Sequence, residues 1–405
     1  MKAILNALSA GMLIFIFVLL FSACTDAYND KWGLPTIEIH TDDEAPILDK
    51  ENWVNMTFSL TVPDKPERNI IEISNQQIRG RGNSTWNAPK KPYRIRFKDD
   101  QRQTPFGLPA ARNWVLLANY FDRSFMGNAF AFELGKRLGL KYTCSYDYVE
   151  FYLNDIYQGL YIFTEHVQAD PAKIGAPGRP KVDLNEGWFV EIDFRFDEER
   201  RFRTKNYNLP VMIKSPESDS IDFVRNDWNE LTDLMFSEDF PENGYRDLIE
   251  MDTFIKYFMV QIITNNSDFN VRTYDSKSDP GSIYFYKDKR GKICAGPLWD
   301  FDRTFGYNSV LDANSFPYPN YPFFNRFFED PVFLARWKEI WNRYYKDIVS
   351  MRSFIDNTAG KIRDAAIEDL KTWHNTEDFD SRVNAMKNYF NKRISYLNDI
   401  YNSPP

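Results

Sequence analysis

The chain has 405 residues, a length that allows two or three domains or one large α/β domain. Its hydrophobic fraction is 43% and its aromatic fraction 17%, which is enough apolar material for a sizeable packed core. The formal net charge of -8 argues against nucleic acid as the main partner, because a phosphate backbone requires a basic surface.

The N-terminal stretch MKAILNALSAGMLIFIFVLLFSAC has the composition of a signal peptide, with Lys2, an apolar run and then small residues. The apolar run, residues 11–21, is short for a membrane span. Its end, LFSAC, resembles a bacterial lipobox, although leucine is more usual at Phe21. The resemblance implies cleavage after residue 23 and lipidation of Cys24, with residues 24–34 as a tether. The protein would then be exported to the cell envelope and held at the outer or cytoplasmic membrane. The alternative is an ordinary signal peptide with an incidental cysteine.

The remaining cysteines, Cys144 and Cys294, lie in apolar strand-like contexts. In an exported protein they could form a disulfide, or they could be two buried free thiols. The three histidines are far apart in the sequence and near no cysteine cluster, which argues against a zinc site.

Strands dominate the first half of the chain. Alternating apolar residues predict strands at PTIEIHT, MTFSLTV, IIEIS and YRIRF, and NWVLLA predicts another. Asp122 is the predicted start of a helix that ends at Gly139. The segments YVEFYL and GLYIFTE form a predicted hairpin, and GWFVEID is the next strand.

Helices dominate the second half. Residues 220–238 and 250–265 have helical patterns, SIYFYKDKRGKICAGPLWD predicts a hairpin, and the aromatic region beyond Tyr307 is helical again. A strand-rich half with one helix, followed by a helix-rich half with one hairpin, indicates an α+β fold of two lobes. The cleft between the lobes is the default site.

Three aspartates are candidates for chemistry. Asp300 and Asp302 stand two residues apart in GPLWDFDRTFG, and like charges so close repel unless a cation, a helix start or water separates them. Asp268 follows the apolar helix MDTFIKYFMVQII, and the hairpin brings Asp300 back towards it. Protein kinases place a catalytic and a metal-binding aspartate side by side in this manner. The alternative interpretation is that these residues form turns and caps.

A basic segment in the first half offers a phosphate-binding candidate. In KKPYRIRF, period two places Lys91 on the face of Tyr93, so Lys91 either snorkels at the rim or points into a site. Kinases pair such a lysine with a helix glutamate, and Glu133 is the acidic residue in the middle of the predicted helix. An ordinary charged surface is the alternative. The glycines of RGRGNS could let backbone N–H groups approach phosphates or could form a tight turn, and the P-loop pattern is absent.

Several long segments, in this order, resemble the CotH family, the spore-coat protein H-like kinases: RGRGNSTW, KKPYRIRF, NWVLLANYFDRSFMGNAFAFELGKRLG, YVEFYLNDIYQGLYIFTEHV and SIYFYKDKRGKICAGPLWDFDRTFG. The resemblance implies an atypical protein-kinase-like domain over residues 35–405, with an N-lobe of about 35–165 and a C-lobe of about 166–405. It implies transfer of phosphate from ATP to serines of secreted or coat proteins. It also implies that Asp268 is the catalytic aspartate, that Asp300 binds Mg²⁺ or Mn²⁺, and that a hinge near Thr164 and Glu165 lies beside the adenine.

Two departures from the family pattern bear on activity. The two aspartates are 300 − 268 = 32 residues apart, and FNVRTYDSKSDPG resembles an insertion. The position of a second metal ligand corresponds to Ser282, whose hydroxyl is a weaker ligand for a hard cation than an amide or carboxylate oxygen. Asp302 could compensate as a ligand.

The sequence therefore predicts an exported, lipid-anchored protein kinase that phosphorylates Ser or Thr of a protein substrate, without a nucleic-acid partner. One alternative is a surface binding or adhesion protein that keeps the fold without catalysis, because ATP is scarce outside the cytoplasm and fold does not fix function. Another is adenylylation. The acidic net charge favours a basic acceptor segment.

Overall fold

The computed structural model describes residues 32–108, 110–167, 187–216, 221–270, 279–288, 291–306, 312–375 and 378–402. In this part of the chain the first half forms a closed barrel with the strand order β1-β2-β3-β4-β5-β7-β6. Its strands are β1 Thr36–Thr41, β2 Val54–Thr61, β3 Ile70–Gly80, β4 Tyr93–Arg96, β5 Asn113–Leu117, β6 Tyr146–Leu153 and β7 Ile156–Glu165. Neighbouring strands are antiparallel except β1 and β6, which are parallel.

The barrel forms because its strands alternate between apolar and polar residues. Met56, Phe58 and Leu60 of β2 are buried, while the residues between them are more exposed. The rings of Trp114 and Phe163 stack inside the barrel, with centroids 5.0 Å apart. The barrel interior is therefore a core of its own.

A second, five-stranded sheet follows the barrel, with the order β12-β11-β8-β10-β9 and antiparallel neighbours throughout. Its strands are β8 Trp188–Ile192, β9 Arg201–Arg203, β10 Pro210–Ser215, β11 Ile283–Lys287 and β12 Ile293–Ala295. The central strand β8, WFVEI, is buried along its whole length, as expected of a strand that is covered on both faces.

Helices pack around this sheet and against the barrel. They are α1 Gly127–Arg137, α2 Asp222–Phe236, α3 Tyr245–Leu248, α4 Met251–Thr264, α5 Pro322–Arg326, α6 Pro331–His374 and α7 Phe379–Asn402. The central helix α4 is apolar around most of its circumference and almost entirely buried. Asp330 caps the long helix α6 by accepting the Val332 N–H at 2.8 Å.

The α+β class and the strand-rich first half are confirmed, whereas the two-lobed kinase-like arrangement stays a prediction. The predicted helix at Asp122 begins five residues later, at Gly127, but the Asp122 carboxylate does accept the Gly127 N–H at 2.6 Å. Cys144 and Cys294 are buried thiols that are not joined by a disulfide, so the predicted alternative of a disulfide between them is wrong. Cys24 lies outside the described residues. Among the helices that the structure describes, none is both long and apolar enough to span a bilayer.

Candidate active site

A cleft of about 420 Å³ opens between the barrel and the second sheet. Its lining includes the glycine-rich stretch at the end of β3, residues 166 and 167, one face of the second sheet with residues 193–195, the loop after α4, and residues 299–303. Asp268, Ser282, Asp300 and Asp302 all border this one cleft. A volume of several hundred Å³ suits a small-molecule ligand.

The sheet supplies a row of polar side chains to the cleft. Glu191 of β8 lies opposite Met212 of β10 and Tyr284 of β11, so the three side chains share a face. The Glu191 carboxylate accepts the Tyr284 hydroxyl at 2.7 Å and the Lys214 ammonium at 2.8 Å. Burial alone would lower the pKa of Lys214, but Glu191 and then Glu198 outweigh burial and raise it. Lys214 is therefore a fixed positive charge in the cleft.

The loop that carries Asp268 is fixed by the end of α4. Asn265 ends this helix in the left-handed conformation, with φ 49°, and Asn266 begins the loop. The Asn266 side chain accepts the Asp268 N–H at 3.1 Å and donates to the Asp300 carbonyl at 3.3 Å. The Ser267 N–H donates to the Arg303 carbonyl at 3.3 Å. These bonds hold the two acidic loops side by side, as the sequence predicted.

A buried arginine from the last helix holds α4 in place. Arg393 of α7 is fully buried and donates to the Ile262 carbonyl from two nitrogens, at 2.9 and 2.8 Å. Its other hydrogen bonds go to the carbonyls of Ala313, Ser315 and Phe316. A guanidinium at a helix C-terminus satisfies carbonyls that have no partner within the helix, and it interacts favourably with the helix dipole. The position of the Asp268 loop thus depends on a residue 125 positions further along the chain, since 393 − 268 = 125.

Asp300 and Ser282 face each other in unusual backbone conformations. Both have positive φ, 64° and 55°, a region that costs a non-glycine residue about 1–3 kcal/mol. The Ser282 hydroxyl donates to the Asp300 carboxylate at 3.3 Å, and the Ser282 N–H donates to Asp193 at 2.9 Å. Burial, and then the Glu191 charge, raises the pKa of Asp193 to about 6. These two strained backbone conformations place the Ser282 hydroxyl within hydrogen-bond distance of the Asp300 carboxylate.

The carboxylates in the cleft repel one another. Burial, followed by the charges of Asp300 and Asp268, raises the pKa of Asp302 well above its usual value. Among the described residues, no group of three or more Asp, Glu, His or Cys side chains has a metal-binding arrangement. Mg²⁺ is commonly held by one or two carboxylates, with water and substrate phosphates completing its shell. Asp300 with Ser282 beside it therefore fits such a cation, and the repulsion on Asp302 gives a physical reason for one to bind.

The glycine-rich stretch RGRGNST faces these carboxylates and contributes a cation that the sequence did not single out. Arg81 lines the cleft, and its guanidinium lies 5.5 Å from the centre of the Trp299 ring. Burial lowers the pKa of Arg81, and the charge of Asp300 makes the largest of several contributions that oppose this shift. Gly82 has φ +81°, and a Cβ there would lie 2.1 Å from the Thr85 hydroxyl, so the turn requires glycine. The sequence signal for Arg81 is the motif RGRGNST itself, in which arginines alternate with the glycines.

The four residues that the sequence predicted for nucleotide binding do not line this cleft. Lys91 precedes β4 rather than lying in it, and its ammonium donates to the Trp86 carbonyl at 2.7 Å. Glu133 binds Arg137 one helical turn away, at 2.8 Å. A lysine that does line the cleft beside carboxylates is Lys214, which pairs with Glu191 and Glu198.

The predicted hinge lies close to the cleft but not at it. Thr164 and Glu165 are fully buried in β7, and the Thr164 hydroxyl donates to the Ser145 carbonyl at 2.9 Å. The next two residues, His166 and Val167, line the cleft. The chain after β7 therefore borders the cleft at residues 166 and 167, two positions beyond those predicted for the hinge. The centre of the proposed insertion, residues 271–278, lies outside the described residues.

One known protein family is similar to most of this chain. The family described as CotH kinase protein matches residues 78–397, a range that includes Arg81, Asp268 and Asp300. The search of curated proteins gave no match. The family match supports a kinase-like function at a coarse level. By the extent of this match, the chain belongs to the CotH kinase family.

Proposed function

We propose that the protein binds ATP with Mg²⁺ or Mn²⁺ in this cleft and transfers the γ-phosphate to a Ser or Thr hydroxyl of a protein substrate. The observation that carries the proposal is that Asp268 and Asp300 border one cleft opposite the arginine of the glycine-rich stretch. Phosphoryl transfer depends mostly on positioning and charge neutralisation, and this arrangement offers both.

Each residue has a separate role in this proposal. Asp268 orients the acceptor hydroxyl and accepts its proton. Asp300 and the Ser282 hydroxyl would hold the cation, which would supply charge neutralisation at the phosphates when bound. Arg81 and Lys214 both border the cleft, and their side chains supply further positive charge to the same phosphates. Asp302 lies beside Asp300 and Asp268, and a bound cation would offset the repulsion that raises its pKa.

The same proposal includes a two-lobed kinase-like arrangement, with the barrel as the main part of the N-lobe. It also includes export and lipidation at Cys24, for which the support is the signal-peptide composition and the LFSAC sequence. The anchor would hold the cleft close to the membrane, where the enzyme would meet its protein substrate.

A catalytically inactive binding protein is the second candidate. It is favoured by Ser282, whose hydroxyl stands where a stronger metal ligand is usual. Such a protein would keep the cleft but would not transfer phosphate.

The decisive experiment measures transfer of labelled γ-phosphate from ATP, with Mg²⁺ or Mn²⁺, to the protein itself and to Ser-containing peptides. Asp268→Asn and Asp300→Asn are compared with Asp356→Asn, an exposed position on α6 that serves as the matched control. We expect transfer by wild type and by the control, and a loss of at least about 100-fold in both site variants. Absence of transfer by wild type, without an ATP-dependent thermal shift, would reject the kinase proposal in favour of the binding protein.

A further inference from the structure

Arginines form a stripe that runs from the cleft onto the outer surface of the barrel. The stripe consists of Arg79, Arg81, Arg94, Arg96 and Arg112, of which the first three line the cleft. Strand register produces it: Arg79 of β3 lies directly opposite Arg94 of β4, and Arg96 follows two residues along the same face. Like charges directly opposite each other destabilise a strand pair, so stability alone does not account for this row.

A tryptophan organises the middle of the stripe. The guanidinium carbons of Arg79, Arg94 and Arg96 lie 4.6, 5.8 and 4.1 Å from the centre of the Trp53 ring. A guanidinium stacked on an aromatic face keeps its N–H edge directed outwards, where it can bind a planar anion through two hydrogen bonds. Trp53 therefore arranges several anion-binding groups side by side.

Carboxylates lie beside three of the five arginines, Arg112, Arg79 and Arg81. Asp99 binds Arg112 at 3.2 Å, and Glu51 and Asp49 lie near Arg79. The Glu51 contact is made through its backbone carbonyl, which accepts the Arg79 N–H at 3.2 Å. Arg81 faces the carboxylates of the cleft, with Asp300 contributing most, so within the described residues the two arginines without a nearby carboxylate are Arg94 and Arg96.

The centre of the stripe has no carboxylate partner among the described residues. Arg94 donates to the Asn113 side chain at 3.1 Å and Arg96 to Gln77 at 2.9 Å, so both bind neutral amide oxygens. Burial, and after it the four neighbouring arginine charges, lowers the pKa of Arg94 to about 10. Within the described part of the chain, the buried Nε atoms that have no hydrogen-bond acceptor include those of Arg79, Arg94 and Arg112. A buried donor without an acceptor is costly, and a bound anion would supply the acceptor.

We propose that this stripe binds an acidic segment of the protein substrate, in which Asp and Glu side chains flank the acceptor Ser or Thr. The proposal rests on the proposed function, because it assigns a substrate class to the same cleft. The acceptor must reach Asp268, and Arg79 and Arg94 are half-buried at the cleft wall, where an extended peptide reaches them and a flat lipid surface does not. The overall acidic charge of the chain favoured a basic acceptor, but the local charge beside the cleft points to the opposite sign.

The test is peptide binding to the full chain in the absence of ATP, measured by fluorescence anisotropy. Synthetic peptides of equal length carry one central Ser with acidic, neutral, basic or phosphoserine flanks. We expect the acidic peptide to bind at least about tenfold more tightly than the neutral one, the scale of one charge-assisted hydrogen bond, with an affinity that falls as salt is added. Anionic vesicles form a separate arm of the same assay.

The variants are Arg96→Glu and Arg96→Gln, which lie outside the cleft, with Arg352→Glu on the exposed surface of α6 as the matched control. We expect Arg96→Glu to weaken acidic-peptide binding by about tenfold and Arg96→Gln by less, while the control keeps wild-type affinity. Circular dichroism confirms that each variant is folded. If transfer is active, the KM for the acidic peptide should rise in Arg96→Glu without a change in kcat or in the KM for ATP.

Equal affinity for acidic and neutral peptides would overturn the proposal, and so would an unchanged affinity in a folded Arg96→Glu variant. Tighter binding of the phosphoserine peptide or of anionic vesicles than of the acidic peptide would also overturn it, by assigning the stripe to a different occupant. Because binding is measured without ATP, a protein that binds the acidic peptide but transfers no phosphate would retain this inference and reject the kinase proposal.

Discussion

Replacement of Lys90 by methionine should destabilise the protein strongly, although Lys90 lies outside the cleft. Lys90 is fully buried where the barrel meets α6, and its ammonium donates to Asp369 at 2.5 Å and to the Leu160 carbonyl at 2.6 Å. The same Asp369 oxygen accepts the Leu160 N–H at 2.7 Å. Gly159 makes this approach possible, since a Cβ there would lie 2.1 Å from that oxygen. The Lys90→Met variant leaves the Asp369 charge buried without its ion-pair partner.

The size of the effect follows from this burial. Removal of one partner of a buried ion pair costs about 3–5 kcal/mol, because the remaining charge loses its compensation. For a chain of 405 residues the unfolding entropy is about 0.8 kcal/mol per kelvin, so we expect the melting temperature to fall by about 4–6 °C. The exposed pair of Lys387 and Asp356 is the matched control, and Lys387→Met should cost no more than about 1 kcal/mol.

The assay is thermal unfolding followed by circular dichroism at several pH values. Burial raises the pKa of Asp369 above its unfolded value, so its protonated form is favoured in the folded state. The stability of Lys90→Met should therefore be higher below the unfolded pKa and fall as pH rises through the folded pKa, so that the deficit is smaller at about pH 5 than at about pH 8. Addition of Asp369→Asn should recover more than half of the loss. A melting temperature within about 1 °C of wild type for Lys90→Met would refute this reasoning.

Three further predictions concern other parts of the molecule. Arg393→Lys should lower the melting temperature and reduce phosphate transfer together, because a lysine cannot bind the Ile262 carbonyl of α4 and the three carbonyls of residues 313–316 at once. Loss of one property without the other would contradict this link. Gly360 lies in an open position of α6, so Gly360→Ala should raise the free energy of unfolding by about 0.5–1 kcal/mol, measured in urea. Gly159→Ala should lower it by several times that amount. Similar values for the two variants would contradict this prediction. Arg81→Gln should raise the dissociation constant of ATP by about tenfold in calorimetry, and unchanged ATP affinity would remove Arg81 from the phosphate site.

Local pattern was sufficient to predict the elements that carry the acidic residues. Helix α4 is apolar on nearly every side, so its burial and the fixed loop after it followed from composition. The hairpin of β11 and β12 returns the chain to the same edge, so the approach of Asp300 to Asp268 was predictable from topology. These inferences depend on neighbours in sequence, which is why they could be made without the fold.

Long-range packing decided which basic residues serve the cleft. Period two assigns alternate residues to opposite faces of a strand, but it does not show which face borders a cleft. Lys90 and Lys91 are adjacent and chemically identical, yet Lys90 meets an aspartate 279 residues away and Lys91 turns to the Trp86 carbonyl. Arg81 becomes a cleft residue only because the stretch after β3 is folded against residues 299–303, where Ser84 accepts a hydrogen bond from Arg303 at 3.4 Å. The sequence by itself determined the strands, the buried helix and the acidic loops, whereas the partners of each charge depended on segments that only the tertiary structure brings together.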